Sequence, residues 1–438
     1  MSGAFAGLTL VIGLYLHWVV PWQRRNLVIL FIGLAIGSLL WPEATVIAFA
    51  LVAIQSLPGG FSQAVPRWLM VALLLSPLVF QKVWQTQAVG LSYVSFLALA
   101  LYLDTQKSGE MVSWKDRLWF SSFFPLIPAG PIERWSNVRP QLTTKRVFDR
   151  GLFVSGLLLI SLGIFKKVVI ADRLSDLAVD SQKDFLSYSG IGMWAYLGLC
   201  LIQIYCDFSA VIDLARGVCR LFGIEVMDNF DRPYLADSVQ DIWQRWHISL
   251  VSWLREIVYN PIALRTRSVT LASAAVLLLV GLWHGVKWQM VLWALYWLLL
   301  FWWAVLLRTK GWRIGIPLYG RRALCVLAMA FSTVFMIPDS ISELSSVVGR
   351  VFFVGVPSST EQKTLSISQV DLLIAIVGFS VVLVFEMFTA QLAVKYRSLG
   401  GAISSRIQAL SILLIIGFLF LTVAFGASRW VNFVYMRY

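Results

Sequence analysis

Two of the three histidines in the chain have the residue type and the surroundings that best suit proton transfer. His247 lies among charged residues and tryptophans, whereas His284 lies in residues 271–303, which are otherwise almost continuously apolar. An imidazole in hydrocarbon needs partners or a water-filled cavity, so such a histidine is a candidate functional residue. A neutral imidazole with a pKa near 6.5 can take the proton of an attacking hydroxyl, and desolvation keeps it neutral. We predict chemistry at these two histidines, with His284 as a general base; the alternative is a buried structural histidine that is hydrogen-bonded to another helix.

Other common chemistries find no motif in the sequence. There is no Gly-x-Ser-x-Gly elbow for a covalent serine mechanism, and no HExxH or paired CxxC for a metal. There is also no Walker A or GxGxxG stretch for a nucleotide. We therefore expect no metal and no bound cofactor. Gly281 and Gly285 flank Trp283-His284, and their thin backbone is predicted to let a substrate approach closely.

The composition predicts an integral membrane protein. Hydrophobic residues make up 59% of the chain and charged residues only 13%, and the mean hydropathy is +0.77. We predict one all-α, polytopic membrane domain over residues 1–438, with about 12 helical spans. The net charge of +13 is scattered over short loops, which is a topology signal and argues against a nucleic-acid partner.

The distribution of lysine and arginine predicts the orientation in the membrane. Residues 308–322 and 134–150 are rich in basic residues, whereas residues 172–188 are rich in aspartate. Placing the basic loops in the cytoplasm gives a consistent alternation and puts the N-terminus outside.

Two segments do not fit a simple span. Residues 118–135 contain three prolines within a short stretch and cannot form an uninterrupted helix, so we predict a broken or re-entrant element; the alternative is an interfacial loop. Residues 238–255 carry tryptophans at helical spacing and predict one amphipathic helix at the interface. Ser238 and Asp241 resemble a capping box, and Asp241 can pair with Arg245. Such a tryptophan stripe is also typical of a plain interfacial anchor.

Five stretches between about residues 90 and 300 together resemble the membrane-bound O-acyltransferase family. The resemblance is strongest to the bacterial branch of the alginate O-acetylation and teichoic-acid D-alanyl transfer proteins. The combination of Arg-Trp-His and Trp-His-Gly is the specific part, and the terminal spans match in hydrophobicity alone. The five stretches are Pro128-Ala129-Gly130-Pro131-Ile132-Glu133-Arg134, Tyr205-Cys206-Asp207-Phe208-Ser209, 229–235, 241–259 and Leu282-Trp283-His284-Gly285.

The resemblance implies a ring of helices around a thin core that is pierced by a tunnel. The family's catalytic histidine corresponds to His284 and its second conserved position to His247. An acyl thioester would enter from the cytoplasm, for which we expect acetyl-CoA, and an acceptor hydroxyl would arrive from outside. The remaining residues expected to line the tunnel or contact substrate are Trp283, Gly285, Trp246, Arg245, Asp207, Asn229, Pro131 and Glu133.

The resemblance also implies the biological setting. We expect a multi-pass protein of the bacterial cytoplasmic membrane that passes an acetyl group to an exported polysaccharide, directly or through an SGNH-type partner outside the membrane. The chain is shorter after His284 than we expect of the alginate protein, so the polymer stays open. One alternative is D-alanyl transfer from a carrier protein to teichoic acid. Another is a transporter, against which the lack of internal repeats counts.

Overall fold

The computed structural model describes residues 2–56, 65–84, 88–179, 190–311, 315–336, 338, 340–352, 367–397 and 405–427. Over these ranges the chain is helical, and its one β-type pairing is an isolated bridge between Phe230 and Trp246. The predicted all-α class is therefore confirmed. The α-helices are α1 Ser2–Val19, α2 Arg25–Leu40, α3 Pro42–Gln55, α4 Arg67–Trp84, α5 Leu91–Ser108, α6 Trp114–Ser121, α7 Trp135–Thr143, α8 Arg150–Phe165, α9 Asp172–Val179, α10 Ile191–Leu221, α11 Val239–Arg245, α12 Ile248–Leu254, α13 Asn260–Thr266, α14 Val269–His284, α15 Trp288–Thr309, α16 Leu318–Ser332, α17 Ile341–Phe352, α18 Gln369–Arg397 and α19 Ser405–Phe425.

The described helices make this a multi-pass membrane protein. Eight helical segments are long and apolar enough to cross a bilayer, and three shorter apolar helices, which include α14, accompany them. Leucine, valine and phenylalanine side chains on the outer faces of these helices are exposed, as contact with lipid requires. The number of spans stays a prediction. The eight segments are Trp22–Leu40, Arg67–Trp84, Arg150–Ser175, Ile191–Leu221, Trp288–Thr309, Leu318–Phe335, Gln369–Thr389 and Ile407–Phe425.

The long helix α10 is fixed against α8 by two facing glycines. A Cβ added at Gly217 would lie 2.7 Å from the carbonyl oxygen of Gly156, and one added at Gly156 would lie 2.8 Å from the carbonyl oxygen of Gly217. Small residues let membrane helices approach until their backbones touch. Because lipid is as apolar as the helix surfaces, such close packing, and not the hydrophobic effect, holds the helices together. This contact holds α10, which carries several residues of the candidate site.

A methyl group at this contact is expected to destabilise the fold. Gly217→Ala should lower the free energy of unfolding by about 1–3 kcal/mol, because the added carbon meets backbone that cannot move aside. Gly417→Ala is the matched control, since nothing lies within 4 Å of a Cβ at that helical position. The control should be neutral or stabilising, as alanine is the better helix former. Thermal unfolding in detergent, followed by circular dichroism, compares the two, and equal melting of both variants would contradict the expectation.

The proline-rich segment is a broken element buried inside the protein, as predicted. Helix α6 ends at Ser121, a single 3-10 turn covers Phe124–Leu126, and no α-helix resumes before α7. Its backbone polar groups find partners within the fold; the Ile132 N–H, for example, donates to Ser249 Oγ at 3.0 Å. Irregular backbone at membrane depth is tolerated only where the protein satisfies it in this way.

The prediction of one continuous helix over residues 238–255 is wrong. The structure has two short helices, α11 and α12, and Trp246 and His247 lie between them. Trp246 leaves the helix because its backbone pairs with Phe230, and the Ile248 N–H donates to the Asn229 carbonyl at 3.1 Å. These links to residues far along the chain outweigh the local helical pattern. The local predictions hold: Ser238 accepts from the Asp241 N–H at 3.3 Å, and Arg245 pairs with Asp241 at 2.8 Å.

Candidate active site

His247 and His284 line the same cavity, which has a volume of about 90 Å³. The ring of Trp283 lies next to both of them. Its centroid is 5.7 Å from that of His247 and 4.7 Å from that of His284. The fold therefore brings the two histidines together, although one precedes α12 and the other ends α14.

Contact between α14 and α15 positions His284. A Cβ added at Gly281 would lie 2.6 Å from the carbonyl oxygen of Met290, so the backbones of α14 and α15 touch one turn before the histidine. The prediction that Gly281 leaves room for a substrate is therefore wrong, because the neighbouring helix fills that space. Gly285 is more open, with only the side chains of Met290 and Lys287 near a Cβ there, at 3.8 and 3.9 Å. On the α15 side, the ring centroid of Trp293 lies 5.7 Å from that of His284.

His247 is held in an unusual backbone conformation. Its φ of 51° and ψ of 48° lie in the left-handed region, which is uncommon for residues other than glycine and often marks a functional site. Buried Asn229 fixes this turn, since its Oδ1 accepts from the Ser249 N–H at 2.9 Å. The ring of Phe208 packs against the imidazole, with centroids 4.8 Å apart.

The environment of His247 keeps the imidazole neutral. His247 lies outside the helices that are long enough to cross a membrane, and it is 3% exposed. Burial, and to a lesser extent the neighbouring His284, lowers the pKa of His247 to about 3. A neutral imidazole can both accept and donate a hydrogen bond, so His247 can orient a group in the cavity without bringing a charge to it.

The other predicted site residues divide into cavity wall and supporting structure. Trp246 and Asp207 line the cavity with the histidines. Trp246 also separates it from a larger, apolar cavity of about 410 Å³. Arg245 lies behind the wall, where its guanidinium donates to Asp241 at 2.8 Å and to the Asp231 carbonyl at 3.1 Å.

Glu133 and Pro131 support the site from further away. The Glu133 carboxylate is fully buried and accepts from the Arg134 N–H, the Asn137 side chain and the Met227 N–H at 2.7–3.1 Å. Burial raises the pKa of Glu133, and these donors oppose the rise. The contacts tie the broken element to the segment that carries Asn229. Pro131 is buried beside them.

Asp207 and Glu386, two carboxylates in apolar surroundings, both have cationic partners. Asp207 pairs with Lys167 at 2.8 Å, and Glu386 pairs with Lys166 at 2.7 Å and accepts from two tyrosine hydroxyls. Both lysines begin a π-helical segment, Lys166–Ala171, a geometry that is frequent at functional sites. Charged side chains that are buried in apolar surroundings need partners of opposite charge, and these lysine–carboxylate pairs provide them.

Several N–H donors of the cavity belong to residues that were not predicted as site residues. They belong to residues that line it, and each has no hydrogen-bond acceptor within the part of the chain that the structure describes. Gln203 is detectable as a polar residue in an apolar run, and Trp243 belongs to the tryptophan stripe of residues 238–255, whereas Trp293 and Trp297 lie in the apolar helix α15 and carry no such signal. The donors are Gln203 Nε2 and the indole Nε1 atoms of Trp243, Trp293 and Trp297.

His284 borders a second cavity as well. This cavity has a volume of about 30 Å³ and is lined by His284 and Trp283 together with Lys82, Tyr93 and Pro128, among others. The imidazole of His284 therefore belongs to the walls of two cavities, one on the His247 side and one between α4, α5 and the broken element.

Comparison with known proteins identifies relatives of the chain. The profile of the membrane-bound O-acyltransferase (MBOAT) family matches residues 28–337. A Helicobacter pylori protein named "Peptidoglycan O-acetyltransferase" is 37% identical over 185 residues, which is 41% of this chain and 35% of that protein. A Pseudomonas fluorescens protein named "Probable alginate O-acetylase" is 28% identical over 322 residues, 67% of this chain and 63% of that protein. A Bacillus subtilis "Teichoic acid D-alanyltransferase" is 25% identical over 223 residues, 48% of this chain and 56% of that protein. The chain thus spans less than two thirds of the length of each of these relatives.

Proposed function

The chain belongs to the membrane-bound O-acyltransferase family, and we propose that it transfers an acetyl group from a cytoplasmic thioester to hydroxyls of an exported polysaccharide. The names of its relatives support this proposal, since they include acetylation of peptidoglycan and of alginate. A donor in the cytoplasm and an acceptor outside require one catalytic group that both can reach.

The position of His284 on the walls of two cavities is the observation that carries the proposal. A base in this position can take a proton from a hydroxyl on one side and act on a thioester on the other. The tryptophans and methionines around it keep the site poor in water, which limits hydrolysis of the thioester.

In the proposed reaction, His284 acts as a general base. Its neutral imidazole takes the hydroxyl proton as the acceptor oxygen attacks the thioester carbonyl carbon. The tetrahedral oxyanion then collapses, the C–S bond breaks and the leaving sulfur receives the proton from the imidazolium. No net proton is released, so the site needs no connection to bulk water.

The N–H donors of the cavity suit the charge that develops in this reaction. Gln203 Nε2 and the Trp293 indole belong to side chains that line the cavity with His284, and neither has an acceptor within the described residues. Pre-aligned N–H donors stabilise an oxyanion, and the loss of one typically costs about 100- to 1,000-fold in rate. We assign one or more of these donors to the thioester oxygen.

The remaining parts of the proposal concern the donor, the partner and the membrane. We propose acetyl-CoA as the donor, because the thioester must come from the cytoplasm. We further propose the bacterial cytoplasmic membrane as the location and an SGNH-type acyltransferase as the protein that completes the transfer. These three assignments rest on the resemblance of the chain to its family.

Thioester turnover by the purified full chain in lipid nanodiscs tests the proposed donor. Radiolabelled acetyl-CoA and a D-alanylated carrier protein are supplied in separate reactions, each with exported glycan from the host. We expect release of free CoA and labelling of the glycan. Consumption of the carrier thioester alone would overturn acetyl transfer and favour D-alanyl transfer, for which the Bacillus subtilis relative speaks. Flux of solute without any donor would favour a transporter.

Loss of the Asn229 side chain is expected to slow this turnover through His247. Asn229→Ala leaves the Ser249 N–H without its acceptor and loosens the left-handed turn, so we expect a loss of about 10- to 100-fold in rate. Asn26→Ala is the control, because it removes side-chain hydrogen bonds outside the cavity walls: Asn26 donates to the Leu142 carbonyl at 3.0 Å and accepts from the Arg146 guanidinium at 2.6 Å. An equal loss in both variants would mean that Asn229 acts only on global stability.

A further inference from the structure

The carboxylate of Glu386 is the common partner of three donors from separate segments of the chain. It lies 2.7 Å from the Lys166 ammonium and accepts from the hydroxyls of Tyr205 and Tyr234 at 2.8 and 2.9 Å. Lys166 begins the π-helical segment, Tyr205 lies in α10, and Tyr234 lies in a short 3-10 helix before α11. Glu386 itself lies in α18, beyond residues 28–337, which match the family profile. The carboxylate thus joins the C-terminal part of the chain to segments of the candidate site.

The two tyrosines lie next to the contact that fixes the turn at His247. Tyr234 follows Phe230 by four residues, and the Phe230 backbone forms the β bridge with Trp246, which directly precedes His247. The ring of Tyr205 lies beside both partners of this bridge, with its centroid 5.5 Å from that of Phe230 and 6.2 Å from that of Trp246. A displacement of either tyrosine would therefore reach the bridge that sets the backbone of His247.

Trp246 needs support because it separates two cavities. One is the cavity that the two histidines line, and the other is the apolar cavity of about 410 Å³. Atoms that border a cavity lack contacts on that side, so packing alone holds such a wall weakly. Tyr205 and Tyr234 line the apolar cavity as well, and their hydroxyls are the groups that donate to Glu386. These directional bonds supply on that side what packing does not.

The position of the carboxylate is itself well determined. The Lys166 side chain is 3% exposed and also pairs with Asp213 of α10 at 2.9 Å. The Glu386 side chain is 14% exposed, and releasing any of its donors would leave a buried polar group unsatisfied. Lys166 alone would neutralise Glu386 and hold α18 against the π-helical segment. The two tyrosine donors are not needed for that purpose, and they extend the network towards the turn at His247.

We propose that Glu386 is a positioning residue for the proposed reaction. Its carboxylate holds the hydroxyls of Tyr205 and Tyr234. Through them it fixes Trp246 and, with it, the turn at His247. Glu386 lines none of the three cavities described above, so its effect reaches the reaction only through these side chains. The inference rests on the proposed function to the extent that His247 serves the reaction.

The imidazole signals of the full chain in nanodiscs test this inference without any turnover. The chain has three histidines, so isotope-labelled histidine gives three sets of NMR signals. His247→Gln and His284→Gln each remove one set and thereby assign it. Glu386→Gln keeps the size of the side chain but replaces an acceptor oxygen with a donor amide, so it cannot serve all three donors. We expect the His247 signals to shift or broaden in this variant and those of His17 to stay in place.

Two tyrosine variants separate this link from stability. Tyr234→Phe removes one hydroxyl and leaves the ion pair of the carboxylate intact, so it should move the His247 signals even where Glu386→Gln fails to fold. Tyr296→Phe is the matched control, because it removes a partly buried hydroxyl that donates to the Ala328 carbonyl at 3.0 Å, outside this network. The corresponding distance for Tyr234 is 2.9 Å. The control should leave the His247 signals unchanged.

The rate of thioester consumption completes the test. Glu386→Gln and Tyr234→Phe should each lower the maximal rate by about tenfold or more and change the Michaelis constant by less than about threefold, because a displaced turn misplaces the reacting groups. Tyr296→Phe should stay within about twofold of wild type. Unchanged His247 signals in both variants, or equal shifts in the control, would overturn the inference. Shifted signals with a wild-type rate would support the positioning of the turn and count against a part for His247 in the proposed reaction.

Discussion

Replacing His284 by alanine is expected to lower the rate of thioester consumption by at least about 100-fold, because the variant loses the group that takes the acceptor proton. His247 should not replace it, since of the two histidines His284 alone borders the second cavity as well. Substrate affinity should change much less than the maximal rate, because proton transfer acts in the transition state. Release of free CoA by the purified protein measures the rate, and ester-linked acetate on the glycan of intact cells measures the product.

Two further variants separate the chemistry of His284 from its packing. His284→Gln keeps a polar side chain that cannot hold the proton, so it should be impaired as strongly as the alanine variant. Leu282→Ala changes the same helix two residues earlier, at a side chain that is 42% exposed towards lipid, and should retain activity within about twofold. A folded His284→Ala protein with full acetylation would remove His284 from the mechanism.

Features of the site that depend on local chemistry could be predicted from the sequence. The break in residues 118–135 follows from proline, which lacks a backbone donor, and the cap at Ser238 follows from side-chain spacing alone. The isolated polarity of Asp207 and His284 in apolar surroundings identified both as candidates. Each of these inferences needs only a few neighbouring residues.

Features that depend on distant contacts could not be predicted in this way. The turn at His247 is set by contacts with Asn229 and Phe230, which the local sequence does not reveal. The tryptophan periodicity continues on both sides of this turn, and it therefore predicted one helix where there are two. A glycine such as Gly281 is expected both beside a substrate groove and at a contact between two helices. Only the position of the Met290 backbone shows that Gly281 lies at a helix contact. From the sequence, Lys82 near the end of an apolar run is indistinguishable from a lysine at the membrane interface. The structure shows that α5 and α14 bring the ring of Trp283 beside it.

The largest effect on stability is expected from the buried lysine that neutralises Asp207. Lys167 lies 2.8 Å from Asp207 and 2.8 Å from Asp172, and all three side chains are at most 1% exposed. Lys167→Met keeps much of the volume but leaves two carboxylates buried without this charge. Removing one partner of a buried ion pair costs about 3–5 kcal/mol, since the remaining charge cannot be hydrated. The variant should therefore unfold at a clearly lower temperature or denaturant concentration than wild type.

Lys107→Met is the matched control for this prediction, because it makes the same substitution in a pair of the same length. Lys107 also lies 2.8 Å from a carboxylate, that of Glu256, but its side chain is 76% exposed and water hydrates whatever charge remains. Its unfolding curve should coincide with that of wild type. Adding Asp207→Asn to Lys167→Met should recover part of the lost stability, since one of the two uncompensated carboxylates is then neutral. If Lys167→Met instead unfolds with wild type, these charges are not needed for the fold, and their place beside the wall of the cavity would have to be explained by the reaction.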